Sequence, residues 1–101
     1  MERKLLTGAL LTFGMLSGAS AQDQAVKEGA ELYQTHCAAC HGENLVTTGV
    51  AFDILQLGAG EKARFIKALN EGKGQMPPWA GVIDDSQMQQ IWAYVRSKAR
   101  D

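Results

Sequence analysis

The chain has 101 residues, 46% of them hydrophobic, with 10 Lys plus Arg against 11 Asp plus Glu, and two cysteines. That is room for one small domain, and without a basic excess a nucleic-acid partner is excluded. A core this small rarely supplies more than about 3–5 kcal/mol, so a disulfide, a metal or a cofactor is the usual supplement.

The N-terminus reads MERKLLTGALLTFGMLSGASAQ: Arg3 and Lys4, an apolar run over residues 5–16, then Ala19-Ser20-Ala21. Those are the three parts of a secretory signal. The run is 12 residues long, whereas spanning a bilayer takes about 20, so a permanent membrane anchor is not expected. No cysteine stands near the cleavage region to take a lipid. Cleavage after Ala21 is expected, delivering residues 22–101 to the periplasm as one domain and a monomer. The leader takes Glu2, Arg3 and Lys4 with it, leaving 8 Lys plus Arg, 10 Asp plus Glu and a formal charge of −2.

Asp23 is placed to cap a first helix running to about residue 35, with Val26, Ala30 and Tyr33 on one face and Gly29 on the same side. Residues 41–60, HGENLVTTGVAFDILQLGAG, show no sustained alternation and read as loop with at most one helical turn. A loop that long in a compact domain carries function or wraps something. GEKARFIKALNEG predicts a second helix, with Ala63, Ile66 and Leu69 on one face, Phe65 beside them and Gly72 as its stop. DDSQMQQIWAYVRSKARD predicts a third. It offers Asp84, Asp85 or Ser86 as caps, a Ser86–Gln89 capping box, and Met88, Ile91, Trp92 and Val95 at helical spacing. Lys62, Arg64, Lys67 and Lys73, and then Arg96, Lys98 and Arg100, read as solvated helix faces and favourable C-terminal charge rather than a docking patch. The fold class is all-α.

The first helix leads into CAACH: Cys37, Cys40 and His41. Cys-x-x-Cys-His is the attachment signature of c-type haem, two thiols forming thioethers and the adjacent histidine ligating iron. A dithiol redox motif would follow a strand in a βαβ pattern, and this one follows a helix. A structural zinc would need four ligands, and only these residues and His36 are at hand. Export to an oxidising compartment favours haem further.

The candidates for a second axial ligand are His36, Met76 and Met88. Met88 belongs to the apolar stripe of the last helix, and His36 is too near His41 in sequence to reach the other haem face. Met76 lies in KGQMPPW, where Pro77 disfavours helix for the residue before it and two prolines cut the entropy of the unfolded loop. Gly72 and Gly74 let the chain bend before it. Ligation by Met76 is the favoured reading, and a methionine plugging the haem edge beside an open iron is the competing one. His/Met ligation raises the reduction potential and fills both axial positions, which suits outer-sphere electron transfer.

With Gly29 and Tyr33 in the first helix, CAACH, the methionine of MPPW and Ile91-Trp92-Ala93-Tyr94-Val95 in the last helix, the chain resembles a small bacterial class I cytochrome c over nearly all of residues 22–101. The resemblance implies the cytochrome c fold: three main helices and loops wrapped around one covalently attached haem c. It implies the first and last helices crossing closely, Gly29 and Tyr33 near Ile91 and Tyr94. Trp79, as in some relatives, either points its indole N–H at a haem propionate or shields the haem. One feature departs from the family. Relatives commonly have a proline whose carbonyl accepts the ring N–H of the proximal histidine, and no proline lies between His41 and Met76. A carbonyl within residues 45–50 is expected in its place.

The expected function is a periplasmic one-electron carrier rather than an enzyme. Small cytochromes of this shape resemble the electron acceptors of quinoprotein alcohol dehydrogenases and the shuttles to terminal oxidases. The alternatives are a haem-based gas-binding module or the haem subunit of a larger dehydrogenase, in either case with a labile Met76, and a dithiol oxidoreductase using Cys37 and Cys40 without haem.

Overall fold

The computed structural model describes residues 20–99. The secretory signal read at residues 1–21 lies outside the described residues but for its last two. Among the described residues there are four α-helices: α1, Ala21–His36; α2, the single turn Ala38–His41; α3, Lys62–Glu71; and α4, Asp85–Lys98. No strand occurs among them, only one isolated bridge between Lys73 and Met76. The long middle segment is more ordered than a loop with one helical turn, for it holds three 3₁₀ turns, Glu43–Leu45, Ile54–Gln56 and Ala59–Glu61.

The helix ends follow side-chain chemistry, with two shifts from expectation. Ser20 rather than Asp23 caps α1. Its Oγ accepts from the Asp23 N–H at 3.1 Å while the Asp23 carboxylate accepts from the Ser20 N–H, so Asp23 serves as the far member of a capping box. At α4 the box is Asp84 with Gln87, not Ser86 with Gln89. The Asp84 backbone is extended, and its Oδ1 accepts from the Gln87 N–H at 2.8 Å; the Gln87 side-chain oxygen accepts from the Asp84 N–H at 2.9 Å.

Helices α1 and α4 make the most extensive pairing of elements, and Gly29 permits it. A Cβ at Gly29 would overlap the carbonyl of Gln90 and stand 3.0 Å from the Cβ of Tyr94. The close neighbour is therefore Gln90 rather than Ile91. Around the crossing the Tyr33 and Tyr94 rings lie 5.5 Å apart, and Gln90 donates from its amide to Glu28 at 2.5 Å. Tyr33, Ile83, Met88, Ile91, Tyr94 and Val95 are buried here, so Met88 fills core. On α3 the buried positions are Phe65 and Leu69, with Ile66 half-buried and Ala63, expected on that face, exposed. Phe65 packs its ring 5.0 Å from that of Trp92. The core thus joins α3 to α4 and leaves one side of α3 facing a cleft.

Candidate functional site

That cleft has a volume of about 920 Å³, within the range of about 300–1,000 Å³ usual for cofactor pockets. Four segments line it: the end of α1 with α2, residues 50–57 up to and through the second 3₁₀ turn, α3, and the loop after α3. Cys37, Cys40, His41, Met76 and Trp79 all face it, as does His36. Met88 does not. Much of the remaining wall is apolar, with Ile54, Leu57, Phe65 and Leu69 among its residues.

The cysteine and histidine positions follow from a change of helix axis. Cys37 ends α1 and starts the turn of α2, its N–H donating to the Tyr33 carbonyl and its own carbonyl accepting from Cys40 and His41. Gly42, at φ 93, then ends the turn; a Cβ there would overlap the carbonyl of Val46. The Tyr33 hydroxyl, reaching from the α1–α4 core, donates to the Gly42 carbonyl at 2.6 Å, which anchors the residue after His41. Burial, with smaller contributions from Cys37 and Tyr94 nearby, pushes the Tyr33 phenol up to about 12. Burial also raises the Cys37 thiol to about 11, helped by Cys40 beside it.

The His41 ring lies with Nδ1 3.0 Å from the carbonyl oxygen of Phe52. A carbonyl only accepts, so Nδ1 carries a proton, and in the neutral ring the lone pair is on Nε2. The carbonyl expected within residues 45–50 as the partner of the His41 ring is thus that of Phe52, two residues beyond that stretch. The reason lies in the turn between. Asn44 and Leu45 both take positive φ, which sends residues 46–50 outward, and Val46 and Val50 are exposed. Thr47 then folds the chain back by accepting from the Gly49 N–H at 3.1 Å and donating to the Ala51 carbonyl at 3.4 Å.

The methionine loop is built differently. Gly72, at φ 79, ends α3, and Lys73 and Met76 exchange both backbone hydrogen bonds at 3.0 Å. A Cβ at Gly72 would stand 2.7 Å from the Met76 carbonyl oxygen and 3.0 Å from the Pro78 nitrogen, so the loop folds back over the glycine. The Trp79 N–H donates to the Leu69 carbonyl at 2.6 Å, and its ring meets that of His36 edge-on at 5.3 Å.

The residues present fit a c-type haem. Two thiols stand three positions apart on one helical turn, and an imidazole has its Nδ1 proton engaged and its Nε2 lone pair free. A thioether lines the same apolar cleft. Among the described residues no helix is long and apolar enough to cross a membrane.

Comparisons with known proteins agree. The family profile described as cytochrome c oxidase, cbb3-type, subunit III matches residues 24–95. Cytochrome c6 of a Nostoc species is 34% identical over 94% of this chain and 88% of its own. The cbb3-type cytochrome c oxidase subunit FixP of Azorhizobium caulinodans is 33% identical over 81% of this chain, which corresponds to 30% of that protein. Among solved structures, the quinohemoprotein alcohol dehydrogenase ADHIIG of Pseudomonas putida HK5 superposes with a TM-score of 0.72 and 29% identity, over 82% of this chain and 12% of the enzyme. With the haem signature, the all-helical fold and these relatives, the chain belongs to the small monohaem class I cytochromes c, electron-transfer proteins carrying one covalently attached haem c.

Proposed function

We propose that the protein is an exported one-electron carrier of the periplasm, in which Cys37 and Cys40 hold the haem through thioethers and His41 and Met76 ligate its iron. The haem supplies a single ferric/ferrous couple. Cys37 and Cys40 would tether it and His41 and Met76 would hold its iron, an arrangement suited to electron transfer without a bond being made. The Phe52 carbonyl holds the His41 ring by its Nδ1 proton and strengthens Nε2 as a donor. The Lys73–Met76 bridge and the prolines hold the methionine backbone, so that a weak thioether ligand needs little further ordering. Trp79 and His36 line one side of the cleft with their rings in contact. The observation that carries this reading is the meeting, in one apolar cleft, of an imidazole whose Nδ1 proton is already engaged and a methionine on a self-braced loop.

The redox partners proposed are a periplasmic dehydrogenase as donor and a terminal oxidase as acceptor. Supporting both is the likeness to a quinohemoprotein alcohol dehydrogenase and to a cbb3-type oxidase subunit, in each of which the matching part is a fraction of a longer chain. That same observation favours a second reading, a haem subunit docked lastingly on a larger enzyme. Mass spectrometry of the protein recovered from exporting cells tests the core of the proposal. The mass of residues 22–101 plus one haem is expected; a haem-free chain with a reactive Cys37–Cys40 pair would contradict it.

A further inference from the structure

We propose that Phe52 and Arg64 are positioning residues for His41, holding the carbonyl that accepts its ring N–H. The inference rests on the reading of His41 as an axial ligand and concerns how its ring is held.

The carbonyl that accepts the His41 Nδ1 proton belongs to Phe52, in a stretch with no proline and no regular secondary structure. Among the described residues, none of the backbone-to-backbone hydrogen bonds of turns and loops involves the N–H or carbonyl of residues 47–52. The direction of the Phe52 carbonyl therefore depends on what side chains do on either side of it. Before it, Thr47 closes a turn onto Ala51. After it, Asp53 caps the next 3₁₀ turn by accepting from the Leu55 N–H at 3.1 Å.

Phe52 stands on the wall of the cleft beside His41. The Arg64 guanidinium stands over its ring, 5.5 Å from the centroid. Arg64 is in turn aimed by Glu61, which accepts from it at 2.9 Å. The other oxygen of the Glu61 carboxylate accepts from the Gly58 N–H at 3.0 Å, and the same two partners hold that carboxyl below its usual range, Gly58 first. A continuous set of contacts thus runs from the start of α3 through Glu61, Arg64 and the Phe52 ring to the proton on His41. An isolated surface ion pair such as Glu61–Arg64 has little worth for stability. Here it gains a role because a planar cation is held where it steadies a ring.

A well-directed acceptor makes the imidazole a stronger donor and favours ferric iron. Loosening the Phe52 carbonyl therefore raises the reduction potential, whereas deleting the Arg64 charge lowers it by removing a cation near the haem. The two effects oppose each other, so the informative variants keep the charge. Phe52→Leu removes the ring and leaves carbonyl and charge; Arg64→Lys keeps the charge and loses the planar stacking.

The test is hydrogen exchange of the His41 ring N–H by NMR, with the reduction potential, in haem-loaded parent and variants. Expected are exchange about two- to fivefold faster in each variant, a higher potential for Phe52→Leu, and no further gain in the double variant, since both act through one contact. Unchanged exchange and potential in Phe52→Leu, with the axial imidazole signal intact, would overturn this proposal alone. So would a speeding of all backbone amides by the same factor, which would mean general loosening. A parent without any axial imidazole signal would overturn the ligation reading, and this proposal with it.

Discussion

The segment after His41 and the segment after Gly72 bring their atoms to the same cleft by different means. Over residues 47–53 side chains do the holding: Thr47 on Ala51 and Gly49, His41 on Phe52, Asp53 on Leu55, Arg64 over Phe52. Over residues 72–79 the backbone holds itself, through the paired Lys73–Met76 bonds, the Trp79–Leu69 bond and a glycine at φ 79. A loop braced by its backbone fixes position and tolerates change only where no glycine or proline is needed. A loop braced by side chains is adjustable one contact at a time. Met76, the proposed thioether ligand, sits on the first kind, and the ring of His41, the proposed imidazole ligand, is steadied by the second.

The largest break in this comparison is Met76→Ala. It should leave the haem attached, open one axial position and lower the potential on the order of 0.1 V, a fraction of the roughly 0.8 V range that axial ligands command. Voltammetry of the variant checks this. A potential equal to the parent's would contradict ligation by Met76.

Next comes Gly72→Ala, which forces a β-carbon into positive φ and against the Met76 carbonyl. A loss of about 2–4 kcal/mol in denaturant unfolding is expected, together with a labile methionine. Gly74→Ala makes a useful comparison. Its φ is also positive, at 62, but a Cβ there meets nothing within 4 Å, so only the backbone cost of about 1 kcal/mol should appear.

Smaller than the Gly72 effect is Tyr33→Phe, which leaves the Gly42 carbonyl without its donor and should cost about 1–2 kcal/mol. The alkaline response sharpens it. The folded phenol is raised to about 12 from about 10 when unfolded, so its stabilising share is whole below pH 10 and is lost as pH climbs from 10 to 12. Tyr94, raised in the same direction by burial, adds to that slope. Tyr33→Phe should flatten stability against pH in this window, and an unchanged slope would remove Tyr33 from the account.

What the sequence made legible follows the same division. The methionine loop announces itself, because positive φ calls for glycine and an interrupted helix for proline, and Gly72, Gly74, Pro77 and Pro78 are side-chain types that mean backbone geometry. CAACH is legible because thioether chemistry demands those residues at that spacing. The acceptor for His41 is not, since every residue has a carbonyl and which one turns inward depends on Asn44 and Leu45 adopting a conformation that leucine seldom does. Arg64 reads from sequence as an exposed helix charge, which it is, and only the fold reveals the ring beneath it. The α1 cap, Ser20, lies three residues before Asp23 and on the leader side of the expected cut. In a processed chain beginning at Gln22 that serine is gone, and Asp23 is the acid left at the helix start.

The claim on which the rest depends is that His41 and Met76 close the iron from both sides. The visible spectrum of the reduced, haem-loaded protein before and after adding carbon monoxide tests it most directly. A low-spin c-type spectrum that carbon monoxide leaves unchanged is predicted; a prompt shift would mean an open or readily vacated site and would contradict the electron-carrier account.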